Sequence, residues 1–458
     1  MPIRASALPR VPPLFAHLAL VVALIAIAVS AVPHARAADP GRPGRADELL
    51  VRYRSTSTPA QRREVARLYG LTGLGADASG RTEVVVAPGR SPAAVERKLR
   101  ADPAILAVAP NHRRELALDP SAEPEIGEEW GMRNTGQRIV GIEDVAGSSG
   151  VDIDGLEALR YGVGSSNVVV AVIDDGIDFN HPDLGQRAWT NPGEAGALGA
   201  NGIDDDGNGY IDDVNGWDFC NDDNTVHDPG EDGHGTHVAG TIAASLDGQG
   251  VVGVAPGVRL MALKFIDDSV QCGLDSMAVE AIDYAASFGI RIINASWGGE
   301  APSTVIDAAI ASSGALFVAA AGNDGRDLDR SDGYRFYPAS SNLANVISVA
   351  AIDQTGHLAE FSNYGRRSVD LAAPGTNILS TWPADGDCSA WCYAWNAGTS
   401  MAAPHVSGAA ALVASHRPSL LVDPIGLRAR LMARGRTMPA TAGLTVTGRM
   451  LNVLRVID

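Results

Sequence analysis

The stretch Asn167-Val168-Val169-Val170-Ala171-Val172-Ile173-Asp174-Asp175-Gly176 decides the fold. An unbroken apolar run, mostly β-branched, reads as a strand buried on both faces, the mark of a parallel sheet. A carboxylate follows at once, at the carboxyl end of the strand, where open α/β sheets collect functional groups. Similar runs recur at Arg259–Ile266, Arg291–Ser296, Ala315–Ala321, Val346–Ala351 and Val369–Ala373. Helix-like stretches such as Ser276–Phe288 and Ser303–Ser312 lie between them. This alternation predicts an α/β domain with a doubly wound, mostly parallel sheet over residues 130–458. A last helical stretch, Pro424–Arg434, ends the pattern, and no appended binding domain is expected after it.

Upstream the character changes. Arg4 and Arg10 precede an apolar run, Leu18 to Val29, and then Ala35-Arg36-Ala37. A basic start, a short apolar core and a small-x-small site read as a signal peptide, residues 1–37. The alternative is an uncleaved anchor, for which the run is short. Gly41 to Ala46 reads as a linker. Residues 47–118 alternate strand patterns (Glu48–Arg54, Thr82–Ala87, Ile105–Ala109) with two helices, Thr58–Tyr69 and Ser91–Arg100, each opened by a hydroxyl cap and a proline. They predict a small α+β, ferredoxin-like domain. Leu116 to Glu129 is polar, acidic and holds Pro120 and Pro124, so residues 119–129 are expected to form an exposed joint open to proteolysis.

The net charge of −18 over 458 residues gives no support for nucleic-acid binding. The excess acidity lies beyond residue 124, and the segment before it is net basic. Two such segments attract one another, although acidity also simply keeps an exported protein soluble. Four cysteines fit export and allow three pairings. Cys388 and Cys392 are near enough to close a small loop, which would leave Cys220 with Cys272; free buried thiols are the alternative.

Four positions carry chemistry. Asp174 at its strand end can accept an imidazole N–H and hold one tautomer, although a turn aspartate is the commoner meaning of Asp-Gly. His234, in Gly233-His234-Gly235-Thr236-His237, opens a helix of small residues that lets a substrate approach the ring, as a general base requires. Ser400, in Gly398-Thr399-Ser400-Met401-Ala402-Ala403-Pro404-His405, is placed near a helix N-terminus by reading Pro404 as first-turn. There the dipole favours developing negative charge, but a serine in that place can also merely cap the helix. Asn323 follows the strand ending at Ala321 and Gly322, and its amide can donate to an oxyanion; the bland reading is an Asn-Asp-Gly turn. Asp, His and Ser in this chain order match one of the known serine-peptidase orders.

A second signal is Asp204-Asp205-Asp206-Gly207-Asn208-Gly209-Tyr210-Ile211-Asp212. Oxygen ligands at alternate positions with glycine at the sixth resemble the start of an EF-hand loop. Asp204, Asp206 and Asn208 would offer side chains and Tyr210 its carbonyl, with Asp212 direct or through water. Asn215 stands where the bidentate Glu would be, so Asp213 is a substitute ligand. Such clustered carboxylates repel without a cation, and calcium is the expected cofactor. Asp218, Asp222 and Asp223 are a weaker candidate group.

From Trp130 to the C-terminus the chain resembles the subtilases. Val172-Ile173-Asp174-Asp175-Gly176-Ile177, Asp232-Gly233-His234-Gly235-Thr236-His237 and Gly398-Thr399-Ser400-Met401-Ala402-Ala403-Pro404-His405 match the three triad motifs, and Ala320-Ala321-Gly322-Asn323 matches the oxyanion motif. The resemblance implies a serine endopeptidase acting on proteins and peptides, with Asp174, His234, Ser400 and Asn323 as its catalytic residues. It implies that Ser296, Trp297, Gly298 and Gly322 bind an extended substrate, and that residues 47–118 are an inhibitory propeptide cut off by the enzyme itself. It also implies a second calcium place at Asp183 and the Asp247 loop. Asp175 departs from the usual Ser or Thr. Kexin-like convertases share it, and in them this carboxylate faces a basic side chain of the substrate; His237-Val238-Ala239-Gly240 instead resembles the bacterial degradative branch, so broad proteolysis is expected and a preference for Lys or Arg next to the cleaved residue is the alternative. The chain is therefore expected to be a secreted monomeric protease, periplasmic if its host has an outer membrane, with no membrane attachment after signal cleavage. A selective processing protease, an inactive scaffold and a calcium-dependent adhesin are the alternatives.

Overall fold

The computed structural model describes residues 48–76, 79, 81–110, 121, 123–229, 233–267, 272–383 and 393–458. Residues 1–37, Cys388 and Cys392 lie outside them. Among the described residues no helix is long and apolar enough to cross a membrane. The chain divides into two compact units, residues 1–113 and 114–458.

In the first unit, β1 (Glu48–Tyr53), α1 (Pro59–Tyr69), β2 (Thr72–Ala76), β3 (Thr82–Val86), α2 (Pro92–Arg100) and β4 (Ile105–Pro110) follow in order. The sheet runs β2-β3-β1-β4, with antiparallel pairs. Thr58 and Gln61 form a reciprocal capping box before Pro59, as the Thr-Pro pattern predicts. Leu49, Val51 and Tyr53 alternate inward and meet Val65, Val95 and Leu99 in a core of their own. Strand β2, Thr-Gly-Leu-Gly-Ala, escapes the sequence reading because its glycines leave no alternating pattern.

The second unit is built on a nine-stranded sheet. Its strands are β5 (Val169–Asp174), β6 (Gly216–Asp218), β7 (Arg259–Lys264), β8 (Ile292–Ala295), β9 (Leu316–Ala320), β10 (Val346–Ile352), β11 (Leu371–Pro374), β12 (Arg436–Thr437) and β13 (Arg449–Met450). The order is β12-β13-β11-β10-β9-β8-β5-β7-β6, and only β12 with β13 is antiparallel. Both faces are covered, as the apolar runs require. Val170 and Val172 point into one core, Ala171 and Ile173 into the other. The first core holds α3 (Gly233–Ala243) and α6 (Thr399–His416); the second holds α4 (Asp275–Ser287) and α5 (Thr304–Ser312).

The end of the expected exposed joint is docked rather than open. Glu123 and Glu129 are buried; Glu123 accepts the Gly248 N–H at 2.9 Å and Glu129 accepts the Val252 N–H at 3.1 Å. Local polarity suggests exposure, but unpaired backbone donors in the 248–252 loop give these carboxylates buried partners.

Candidate active site

Asp174 ends β5 with its side chain buried, and its Oδ1 lies 2.6 Å from His234 Nδ1. The Asp175 N–H donates to the same oxygen at 2.9 Å. His234 is the second residue of α3 and keeps about a third of its side chain exposed, at 34%. Burial lowers the imidazole pKa, but the charges of Asp174 and Asp175 outweigh it and hold it at about 9. A carboxylate on Nδ1 leaves Nε2 as the nitrogen that can take a proton. The motif's other histidines are structural: His237 donates from Nε2 to Ile378 O and is pushed down by burial to about 3, and His405 donates from Nδ1 to Met401 O.

Ser400 is the second residue of α6. Pro404 lies a turn further in than the sequence reading placed it. Lacking an N–H, it leaves the Ser400 carbonyl without its helical donor. The Ser296 hydroxyl fills that role at 2.8 Å. The Ser400 hydroxyl in turn donates to Ser296 O at 2.9 Å. Asn294 Nδ2 donates to Ser296 Oγ at 3.0 Å, and Ser407 Oγ donates to Asn294 Oδ1 at 2.8 Å. Asn294 and Ser407 are fully buried and were missed in the sequence, where nothing distinguishes them from other core polar residues.

Asn323 Oδ1 accepts both the N–H and the hydroxyl of Thr399, each at 2.9 Å. These donors fix the amide orientation, so Nδ2 faces away from them, beside Gly398. Gly322 takes φ +97°, and a Cβ there would fall on Asn363 Nδ2 and the Phe336 ring, so this approach demands glycine. Ser296, Trp297 and Gly298 run on from β8. No main-chain hydrogen bond joins Trp297 or Gly298 to another described residue. Trp297 and Gly298 border a cavity of about 250 Å³ with Leu274, Ile306 and Tyr337.

Asp175 caps the start of α3. Its Oδ2 accepts the His234 N–H at 2.9 Å and its Oδ1 the Gly235 N–H at 2.5 Å.

The acidic loop brings two of the expected ligands, Asp206 and Asp213, together with one that the sequence reading did not include, Glu194. Oxygens of Glu194, Asp206 and Asp213 converge within 4.8 Å of one another. Glu194 is fully buried; its Oε1 accepts the Asp205 N–H and its Oε2 has no partner. Asp204 instead accepts N–H groups of Gly207, Asn208 and Gly209, and Asp212 those of Asn201 and Gly202. Asn208 Oδ1 takes the Tyr210 N–H, and its Nδ2 donates to Asp213. Glu194, outside the motif, reaches in to join Asp206 and Asp213. An orphaned buried carboxylate oxygen amid three converging acids fits a hard cation such as calcium. Asp183 and Asp247 join no cluster of three acids among the described residues: Asp183 Oδ2 accepts from Tyr393 and the Val251 N–H while its buried Oδ1 has no partner, and Asp247 accepts the Gln249 N–H. Asp218 has an ammonium partner, the buried Lys264, which also pairs with Asp228 at 2.6 Å and Asp267 at 3.6 Å. Cys220 and Cys272 form a disulfide.

A parallel sheet that delivers an aspartate to a helix-borne histidine, with a serine opening the neighbouring helix, defines a serine endopeptidase of the subtilisin-like class. The model of the subtilase family matches residues 165–441, and the chain belongs to that family. It is 32% identical over 373 residues to the thermophilic serine proteinase of Bacillus sp. (strain AK1), covering 80% of this chain and 78% of that protein. It is 39% identical over 267 residues to Subtilisin Savinase of Lederbergia lenta, covering 57% and 81%. The fold is similar to the crystal structure of a cold adapted subtilisin-like serine proteinase, with a TM-score of 0.51, 28% identity, and coverage of 71% of this chain and 98% of that one.

Proposed function

We propose that the protein is a secreted endopeptidase, made as a self-processed precursor, that cuts protein substrates through Asp174, His234 and Ser400. The observation that carries this reading is the 2.6 Å contact of His234 Nδ1 with Asp174 Oδ1. Ser400 Oγ leaves the Ser296 carbonyl, gives its proton to His234 Nε2 and attacks the peptide carbonyl. Asn323 Nδ2 and the Ser400 N–H, free at the helix start, hold the oxyanion. The C–N bond breaks as His234 returns the proton to the leaving amine. Water then adds to the acyl-enzyme, again through His234, and releases the acid. The substrate lies extended along Ser296, Trp297 and Gly298, and the open main-chain groups of Trp297 and Gly298 suit strand addition, with Gly322 opposite.

Residues 47–118 act as the intramolecular inhibitor; that the first unit has its own core supports a separately folding segment. The signal-peptide pattern and the Cys220–Cys272 disulfide support export. Mass spectrometry after fluorophosphonate treatment tests the whole reading. One adduct, on Ser400, in a chain starting between about Leu116 and Trp130, is expected. A folded, processed chain with no adduct would overturn it in favour of an inactive scaffold.

Replacing Asn323 by Ala is expected to lower kcat by about 10² to 10³, the loss known for this donor in a subtilisin, with KM little changed. Steady-state kinetics on one peptide decide it; a loss confined to KM would make Asn323 a ground-state binder.

Calcium is proposed to be held by Glu194, Asp206 and Asp213, where it neutralises their mutual repulsion and ties the loop to the body. An ion that binds only the folded state stabilises it by about 2.7 kcal/mol at a hundred times its Kd. Excess chelator is therefore expected to lower Tm in calorimetry, and Glu194→Gln to remove most of that response. An unchanged Tm in chelator would remove the ion from this loop.

A further inference from the structure

Helix α3 begins at Gly233, so the N–H groups of His234 and Gly235 have no acceptor within the helix. Both are taken by one side chain from outside it. Asp175 presents a separate carboxylate oxygen to each, at 2.9 and 2.5 Å. The approach is close: a Cβ on Gly235 would fall on the Gly176 carbonyl and lie 2.9 Å from Asp175 Oδ1. His234 is thus gripped twice by consecutive residues of one strand end. Asp174 holds its ring, and Asp175 holds its main chain.

We propose that Asp175 is a positioning residue for the peptidase reaction: it clamps the start of α3 so that the His234 ring meets Asp174, and it does not select the substrate. This rests on the triad reading above. The clamp limits the ways the imidazole can move relative to Asp174, and misplacements of about 1 Å cost on the order of a hundredfold in rate. It also adds a second negative charge beside the imidazolium formed in the reaction. The other titratable groups around His234 do not substitute for it. His237 on the same helix and His405 on α6 are kept neutral by burial. Lys264, opposite Asp174 in the β5–β7 register, is tied to Asp218, Asp228 and Asp267. Burial, reinforced by the Asp174 charge, raises the Asp175 carboxyl to about 7, and the His234 charge and then the two N–H donors pull against that rise.

The test compares Asp175→Ala, Asp175→Ser and the parent on two peptides, one with Ala and one with Lys beside the cleaved residue. A second readout is the low-field proton resonance of the His234 ring, recorded in the Ser400→Ala background, where no turnover is needed. For Asp175→Ala we expect kcat to fall about tenfold or more on both peptides alike, KM to stay close to the parent value, and the acid limb of kcat to move to lower pH. We also expect the ring resonance to broaden or vanish in Asp175→Ala and to return in part in Asp175→Ser, whose hydroxyl keeps one acceptor. A loss confined to the Lys peptide and to KM would overturn the proposal and make Asp175 a specificity residue. An unchanged ring resonance in both variants would overturn it as well, whatever the rates. Failure of the triad reading is distinct: it appears as absent fluorophosphonate labelling in the parent.

Discussion

Ser400→Ala lowers kcat by about a million-fold, the loss known when a subtilisin is stripped of its nucleophile, and leaves the precursor uncut. The substitution removes the one oxygen that can form the acyl-enzyme, and the neighbouring Thr399 cannot replace it. Its hydroxyl donates to Asn323 Oδ1 at 2.9 Å and accepts the Gly322 N–H at 3.0 Å. The fold tolerates the change, because the Ser400 carbonyl keeps its bond from Ser296 and only the Oγ bond to Ser296 O is lost. Intact-mass measurement of secreted protein reads the uncut precursor, and kinetics on a chromogenic peptide read kcat. Residual turnover within a hundredfold of the parent would mean that another group is the nucleophile.

Asp174→Asn is expected to cost about 10⁴ in kcat, because an amide in place of the carboxylate favours the wrong imidazole tautomer while leaving the shape intact. The same variant changes the pH profile in a direction set by the charges. Burial alone would hold His234 below its ordinary 6.5; the Asp174 charge is the largest influence raising it to about 9. Neutral imidazole is the base, so parent activity rises with pH up to about 9, and removing Asp174 moves that rise to lower pH. Stability follows by linkage. A histidine whose pKa is raised on folding adds stability that is fully present below pH 6.5 and is lost as pH climbs through about 9. The Tm difference between parent and Asp174→Asn is thus larger at pH 6 than at pH 10. Equal differences at both would separate the Asp174–His234 contact from stability.

Much of this was legible in the chain. The doubly buried strands announced a parallel sheet, because apolar runs without alternation have no solvent face to offer. The positions of Asp174, His234, Ser400 and Asn323 were legible too, since strand ends, helix starts and glycines are local features written in adjacent residues. The roles of Asp175, Glu194 and Ser296 were not. Asp175 reads as a substrate contact, and nothing near it in the chain shows that α3, some sixty residues on, brings two N–H groups to it. Asp204 and Asp212 look like calcium ligands by spacing, but spacing says only that oxygens are near one another in the chain. Backbone donors reach those oxygens, and Glu194 joins Asp206 and Asp213 from a separate turn, which no spacing announces. Sequence by itself determined which elements form and which side chains stand at their ends. Only the tertiary structure decided which buried donor meets which acceptor, because every unpaired buried polar group costs free energy and the nearest partner in space is rarely the nearest in sequence.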